Sequence, residues 1–246
     1  DSSPLKIPAY ETNIWSTGMD SYVMSDDYYG FFLNAYGTAM NRNYPQIAIG
    51  RIPVQTKTEA SNVVDKIIAF QTRSNDDLWR QKMILSADDE FNIQSPNTHE
   101  EMHTINTERV IVPRLPGFAL INKIYLMNYS TATKNQARID LKRSLNEGAL
   151  LFNWVGHGSW ERLAHETIFQ GSEDIPQLTN QNRYFLFYAS ACDVGRYDLL
   201  SGYSMAERIL IQPGVGAMAS ITATRATSMG ANENLNALFL DYAVND

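Results

Sequence analysis

A histidine and a cysteine that each follow an apolar run have the chemistry of a nucleophilic pair. Residues 148–155 lead into His157, which has a glycine on either side, and residues 184–191 lead into Cys192. A thiolate is a strong nucleophile, and an imidazole beside it can accept and return a proton. Cys192 is the single cysteine of the sequence, so it is not half of an intrachain disulfide. The alternative is a buried structural cysteine and a histidine that hydrogen-bonds a loop.

The two apolar runs have the pattern of buried strands. Each is short, bounded by turn residues and rich in β-branched or aromatic side chains, which is typical of a parallel sheet. The spacing between His157 and Cys192 leaves room for one crossover connection, so the two strands can be neighbours. Because ligands bind at the carboxyl edge of such sheets, we expect both side chains at one catalytic edge.

The rest of the chain alternates predicted strands with predicted helices. This alternation predicts an α/β fold, with a mostly parallel sheet between two helical layers. A polar stretch at residues 74–77 suggests a boundary between a small, incomplete first lobe (1–75) and a second lobe (76–246) that carries the Cys/His pair. The other predicted strands are 47–54, 82–87, 122–127 and 215–221, and the predicted helices are 58–70, 97–110, 134–146, 201–211 and 232–243.

Composition excludes several classes of protein. The 246 residues carry 27 acidic and 20 basic side chains, a net charge of −7, which argues against a nucleic-acid partner. No apolar stretch approaches the roughly 20 residues of a membrane-spanning helix. The sequence does not begin with methionine, so we expect a processed chain or a fragment.

Two other groups of residues can bind a metal. His99, Glu100 and His103 match the H-E-x-x-H pattern of zinc hydrolases, although a solvated helix face explains the same residues. Asp88, Asp89 and Glu90 follow predicted strand 82–87, where one carboxylate can orient the imidazole of His157 or the cluster can hold a hard cation. We expect that the protein requires no cofactor and no catalytic metal. A structural calcium ion at the acidic cluster stays an alternative.

The motifs at the two strand ends resemble those of the gingipain-like cysteine peptidases, a family of the caspase-like clan. Residues 153–159 are similar to the histidine motif of that family, residues 189–192 to its cysteine motif, and residues 49–54 to a strand of its first lobe. The resemblance extends over nearly the whole chain and implies the caspase/gingipain-like three-layer α/β/α fold with two lobes. It also implies that His157 and Cys192 are the catalytic pair and that Asp88 is an acidic residue near the histidine.

Within this family the chain is most similar to the PorU-type sortases of the type IX secretion system, through residues 25–30, 50–54, 63–68, 195–198, 222–225 and 235–236. The backbone N–H groups of Gly158 and Cys192 would then form the oxyanion hole. We predict that Trp160, Arg196 and Arg225 bind substrate, the arginines by attracting an anionic acceptor. A structural salt bridge is the alternative for either arginine.

The resemblance implies an endopeptidase and transpeptidase at the cell surface, associated with the outer membrane. Its substrates would be proteins with a C-terminal secretion signal, its acceptor an amine of anionic lipopolysaccharide, and its partners the outer-membrane β-barrel shuttle and attachment complex. The alternatives are a plain gingipain-like endopeptidase, a zinc hydrolase using His99 and His103, and a non-catalytic assembly module. Residues 95–98 contain no acidic residue, unlike the Arg-specific members of the family, so we expect small or uncharged residues at the cleavage site.

Overall fold

A five-stranded parallel sheet forms the centre of the molecule. The computed structural model describes residues 7–13, 20, 22–31, 45–73, 77–89 and 101–243. The spatial order of the strands in this sheet is β4-β3-β5-β8-β9, and every neighbouring pair is parallel. The strands are β1 (Glu11–Thr12), β2 (Val23–Met24), β3 (Lys82–Ala87), β4 (Leu120–Tyr125), β5 (Leu151–Val155), β6 (Arg162–Leu163), β7 (Phe169–Gln170), β8 (Phe185–Ser190) and β9 (Ala217–Thr222).

Helices cover both faces of this sheet. They are α1 (Lys57–Thr72), α2 (Glu101–Asn106), α3 (Lys134–Glu147), α4 (Gly171–Asp174), α5 (Met205–Ile211) and α6 (Met229–Ala243). A π-helical turn, Thr107–Ile111, continues α2. Within the described residues, no helix has both the length and the apolar character needed to cross a bilayer.

Alternate residues of the central strands supply two separate cores. On one face Phe152 and Phe187 stack at 5.1 Å between ring centroids and pack with α3 and α5. On the other face Leu85 and Tyr188 pack with Leu240 of α6. Because successive side chains of a strand point to opposite faces, one sheet feeds both cores. This three-layer α/β/α arrangement confirms the predicted fold class.

The predicted strand at 47–54 is wrong. These residues belong to no strand; Ile52 is 53% exposed, and its carbonyl accepts a hydrogen bond at 2.9 Å from the N–H of Val54. Such a bond closes a three-residue turn, and Pro53 has no N–H to offer a neighbouring strand. The prediction relied on the apolar residues alone, and these do not distinguish a strand from a turn at this position.

The remaining helix and strand predictions differ mainly at their ends. Strand β4 begins two residues earlier than predicted, and α6 begins at Met229 instead of residue 232. Helix α5 begins only at Met205, because Ser204 caps it: its side chain accepts from the Glu207 N–H while Glu207 accepts from the Ser204 N–H. Of the predicted helix at 97–110, residues 97–100 lie outside the described residues.

Helix α1, which belongs to the predicted first lobe, packs on α5 and β9 of the predicted second lobe. Lys66 of α1 is 2% exposed and donates to the carbonyls of Ile209, Val215 and Ala217 at 3.2, 3.0 and 2.8 Å. Burial lowers the pKa of Lys66 to about 7. The boundary at residue 75 stays a prediction, but the helix before it is joined to the sheet through a buried ammonium group.

Candidate active site

The sheet places the histidine and the cysteine side by side. Strands β5 and β8 are parallel neighbours in which Val155 is paired with Ser190, so Gly156 and Ala191 leave the sheet at the same edge. The N–H of Gly156 donates to the Ser190 carbonyl at 3.2 Å, which extends the pairing beyond the strands. The expectation that these strands are neighbours is confirmed.

His157 and Cys192 line the same cavity. Its volume is about 130 Å³, and its walls are formed by the two strand ends, by the segment from α2 to the π turn, and by α6. The residues that complete the walls are His103, Asn106, Thr107, Ile111, Thr227, Met229, Asn232, Glu233 and Asn236. His157 is exposed and Cys192 is half-buried, so a chain bound in the cavity would meet both groups.

The Cys192 thiol is held by the main chain of one residue. The N–H of Thr227 donates to Sγ at 3.3 Å, and Sγ lies 3.6 Å from the Thr227 carbonyl, to which a thiol can donate. The N–H and the carbonyl of Thr227 therefore fix the position of Sγ from one side. Sequence reasoning did not single out Thr227; its only signal was its place just after β9, at the same edge of the sheet as Cys192.

The main chain of His157 is fixed from both sides. Its N–H donates to Asp88 Oδ2 at 2.8 Å, and its carbonyl accepts from Trp154 Nε1 and from the Ala164 N–H, each at 3.1 Å. Asp88 is 1% exposed, so this charge-assisted bond is shielded from water. The sequence predicts such a carboxylate beside the imidazole; in the structure Asp88 binds the backbone N–H of the residue that carries the ring, and its role towards the imidazole stays a prediction.

Two further imidazoles flank the His157 ring. The His103 ring lies edge-on to it, with centroids 5.5 Å apart and planes at 84°, and the His165 ring lies 5.2 Å away on a tilted plane. Edge-to-face contacts of this kind restrain ring orientation. His103 is 9% exposed, so the interpretation of this residue as part of a solvated helix face is wrong.

Glycines allow the two loops to approach each other. A Cβ on Gly156 would lie 2.3 Å from the Asp88 Cβ, and one on Gly158 would lie 2.8 Å from side-chain atoms of both Ala191 and Val194. Gly158 and Cys192, the predicted oxyanion donors, therefore lie on loops that touch. Neither N–H donates to another group among the described residues; Cys192 lines the cavity and Gly158 does not, so their role as oxyanion donors stays a prediction.

Comparison with known proteins agrees with this geometry. The model of a known family, peptidase family C25, matches residues 1–246. The chain belongs to peptidase family C25. Over 176 residues, 71% of the chain, it is 25% identical to gingipain R2 and to gingipain R1 of Porphyromonas gingivalis. The matched part spans only 22% and 16% of those two proteins.

Solved structures show that the fold is shared. The complex of the Porphyromonas gingivalis RgpB pro- and mature domains has a TM-score of 0.67 at 21% identity, covering 89% of this chain and 50% of that one. The Arg-specific cysteine proteinase gingipain R (RgpB) has a TM-score of 0.66 at 20% identity, covering 89% and 49%. The gingipain-like fold predicted from the sequence is thereby confirmed.

An acidic cluster adjoins the site of this C25 chain. Carboxylate oxygens of Asp88, Asp89 and Glu166 lie within 4.8 Å of one another, and burial raises the pKa of Glu166. The ammonium group of Lys134 binds the Asp89 carboxylate and donates to the Leu126 carbonyl at 2.9 Å. The Lys134 ammonium group thus supplies the positive charge that a bound cation would supply. The three carboxylates offer only oxygen ligands, which are the ligands that calcium prefers. A structural calcium ion stays a prediction, and Glu90 lies outside the described residues.

The zinc hypothesis stays untested by the structure. His99 and Glu100 lie outside the described residues, and His103 contacts the imidazole of His157. In the part of the chain that the structure describes, the acidic cluster is the one group of three or more His, Cys, Asp or Glu side chains whose ligand atoms lie close enough together to hold a metal ion.

The predicted substrate-binding residues have different surroundings. Arg225 is 10% exposed at its side chain and binds both carboxylate oxygens of Asp198, one of them at 3.0 Å, so the salt-bridge alternative describes it better. That guanidinium holds the pKa of Asp198 below its usual range, against the opposing effect of burial. Arg196 is 41% exposed at its side chain and lies 3.4 Å from Asp198, and Trp160 is 40% exposed. Arg196 and Trp160 can meet a substrate; their binding roles stay predictions.

Proposed function

We propose that the chain is the catalytic part of a cysteine endopeptidase and transpeptidase. The observation that carries the proposal is the shared cavity of Cys192 and His157 at the carboxyl edge of a parallel sheet, with a main-chain N–H directed at the sulfur. Membership of peptidase family C25 supports the same chemistry.

The proposed reaction has two steps. The Cys192 thiolate attacks a peptide carbonyl, the N–H groups of Gly158 and Cys192 bind the resulting oxyanion, and the C–N bond breaks as His157 gives a proton to the leaving amine. The product is a thioester on Sγ. An amine or water then attacks the thioester, His157 takes the proton of the attacking group, and the thiolate is restored.

We infer a sortase because residues 195–198 and 222–225 resemble those of the PorU-type sortases. The substrates would be exported proteins with a C-terminal secretion signal and the acceptor an amine on anionic lipopolysaccharide. The enzyme would work at the cell surface with outer-membrane β-barrel shuttle and attachment proteins. Arg196, whose side chain is 41% exposed beside Asp198, is a candidate to attract an anionic acceptor.

A competition between amine and water tests the transfer step. The protein is incubated with a signal-bearing peptide and glycinamide, and mass spectrometry follows the thioester, the free acid and the glycinamide conjugate. We expect the conjugate to exceed the acid, because a sortase shields its thioester from water until an amine binds. A wholly hydrolytic product, at amine concentrations that do not slow cleavage, would indicate a plain endopeptidase. Absence of thioester, free acid and conjugate together would favour the assembly module.

The cavity also revises the expected cleavage preference. Glu233 lines it, and its Oε2 accepts from Asn106 Nδ2 at 2.8 Å, whereas no cationic side chain among the described residues pairs with this carboxylate. A cavity of about 150 Å³ holds a benzene molecule, so this one admits a side chain of medium size. We infer that Glu233 binds a side chain with a cationic or hydrogen-bond donor end. The expectation of a small or uncharged residue took no account of this carboxylate.

Glu233→Gln tests that inference. We expect kcat/KM to fall about tenfold for peptides with lysine before the scissile bond, because a hydrogen bond to a charged group contributes about 1.5–3 kcal/mol. Matched peptides with methionine at that position should be cleaved as before. Glu101→Gln, an exposed change on α2, is the control. Equal losses for both peptides, or none, would contradict the assignment.

A further inference from the structure

The segment that follows β9 contacts the nucleophile loop at several points. We call residues 223–227 the bracing loop. Its Ala223 carbonyl accepts from the Gly195 N–H at 2.9 Å, and its Arg225 carbonyl accepts from the Asp193 N–H at 3.3 Å. Thr227, the last residue of the bracing loop, donates its N–H to Cys192 Sγ at 3.3 Å. The position of the sulfur's hydrogen-bond donor thus depends on the bracing loop.

The bracing loop is itself held by residues near the start of the chain. Asp20 Oδ2 accepts from the Ala226 N–H at 3.0 Å, and Thr224 Oγ1 donates to the Met24 carbonyl at 3.1 Å. Met24 is 4% exposed and lies in β2. These two bonds join parts of the chain separated by 206 and 200 residues.

We propose that Asp20 is a positioning residue for the nucleophile. The N–H that it binds belongs to Ala226, and the next N–H along the chain is that of Thr227, which meets the sulfur. Because the two groups are in consecutive residues, rotation of the backbone at Ala226 would carry the Thr227 N–H away from Sγ. A carboxylate bound to a main-chain N–H forms a strong charge-assisted bond, so it can hold this backbone in place.

The inference deepens the proposed function, on which it rests, and gives the N-terminal segment a part in catalysis. Titratable and charged groups that face the two loops are Asp193, Arg196 and Asp198 on the Cys192 side, Arg225 on the bracing loop, and His103, His157 and Glu233 across the cavity. Asp20 differs from these in that its carboxylate binds the main-chain N–H of Ala226, the residue before the sulfur's donor. The contacts that Asp20 and Met24 make with the bracing loop are then required for a fully activated thiol.

Three variants of the whole chain test the proposal: Asp20→Ala, Asp20→Asn and Asp27→Asn. The pH dependence of Cys192 alkylation by iodoacetamide reports the thiolate, and kcat and KM are measured on the cleaved peptide. Asp20→Ala should raise the alkylation midpoint by about one pH unit, because the thiolate loses its donor. It should lower kcat about tenfold and leave KM within roughly twofold. Asp20→Asn keeps an acceptor oxygen and should restore both values, and Asp27→Asn should change neither.

An unshifted alkylation midpoint in folded Asp20→Ala would overturn the proposal. If that variant does not fold, Thr224→Val removes the second bond to the N-terminal segment and should shift the midpoint in the same direction; no shift would again overturn it. Alkylation requires no turnover. A protein that shows the Asp20 effect but cleaves no peptide would therefore disprove the proposed function and leave the positioning role intact.

Discussion

Replacing Cys192 with alanine is expected to abolish peptide cleavage and leave the fold intact. The thiolate is the only proposed nucleophile, and removal of a catalytic nucleophile lowers kcat by about 10⁴-fold or more. The side chain is half-buried at a loop beyond β8, so its loss opens no large hole in either core. Cleavage is measured with a signal-bearing peptide, and folding by thermal unfolding and circular dichroism.

Labelling provides an independent measurement for the same variant. A peptide with an electrophilic end group should modify the wild-type protein at Cys192 and leave Cys192→Ala unmodified. If the alanine variant cleaved peptide at the wild-type rate, the Cys192 thiol would not be the nucleophile. A chelator that stopped such cleavage would point to the zinc hydrolase instead.

Replacing His157 with alanine is expected to cost more activity than any change at the two neighbouring imidazoles. General acid and base catalysis contributes about 10²- to 10⁴-fold, and His157 is the imidazole adjacent to the Cys192 strand. The variant should fold, because the ring is exposed and the Asp88 bond is made by the main chain. The measurement is kcat/KM across pH, in which the limb assigned to the imidazole should disappear.

His103→Phe is the matched control for His157→Ala. It keeps an aromatic ring for the edge-to-face contact, 5.5 Å from the His157 ring, and cannot bind a metal or a proton. We expect it to retain most activity, whereas His103→Ala should lose several-fold because the catalytic ring gains freedom. If His103→Phe were as inactive as His157→Ala while folded, His103 would have a chemical role and the zinc hypothesis would gain support.

Local patterns carried most of the information about the fold. The alternation of short apolar runs with amphipathic segments predicts the parallel sheet and its helical layers, and the helix predicted from residue 58 begins one residue earlier, at Lys57, after its N-cap Thr56. The failure at 47–54 has a local cause as well. An apolar run with a proline resembles an edge strand, but here the bond from the Val54 N–H to the Ile52 carbonyl closes a turn around Pro53.

The sequence by itself determined which residues end the two apolar runs, and therefore that a thiol and an imidazole lie at the same edge of a parallel sheet; that the two strands are neighbours was decided by the tertiary structure. Strand periodicity and the glycines beside His157 act over a few residues, so they can be recognised without coordinates. Only the tertiary structure decided that Asp88 binds the His157 backbone, that Glu233 enters the cavity and that Asp20 reaches the bracing loop. Such contacts join residues up to 206 positions apart, and their geometry follows from how whole elements pack, which no local pattern records.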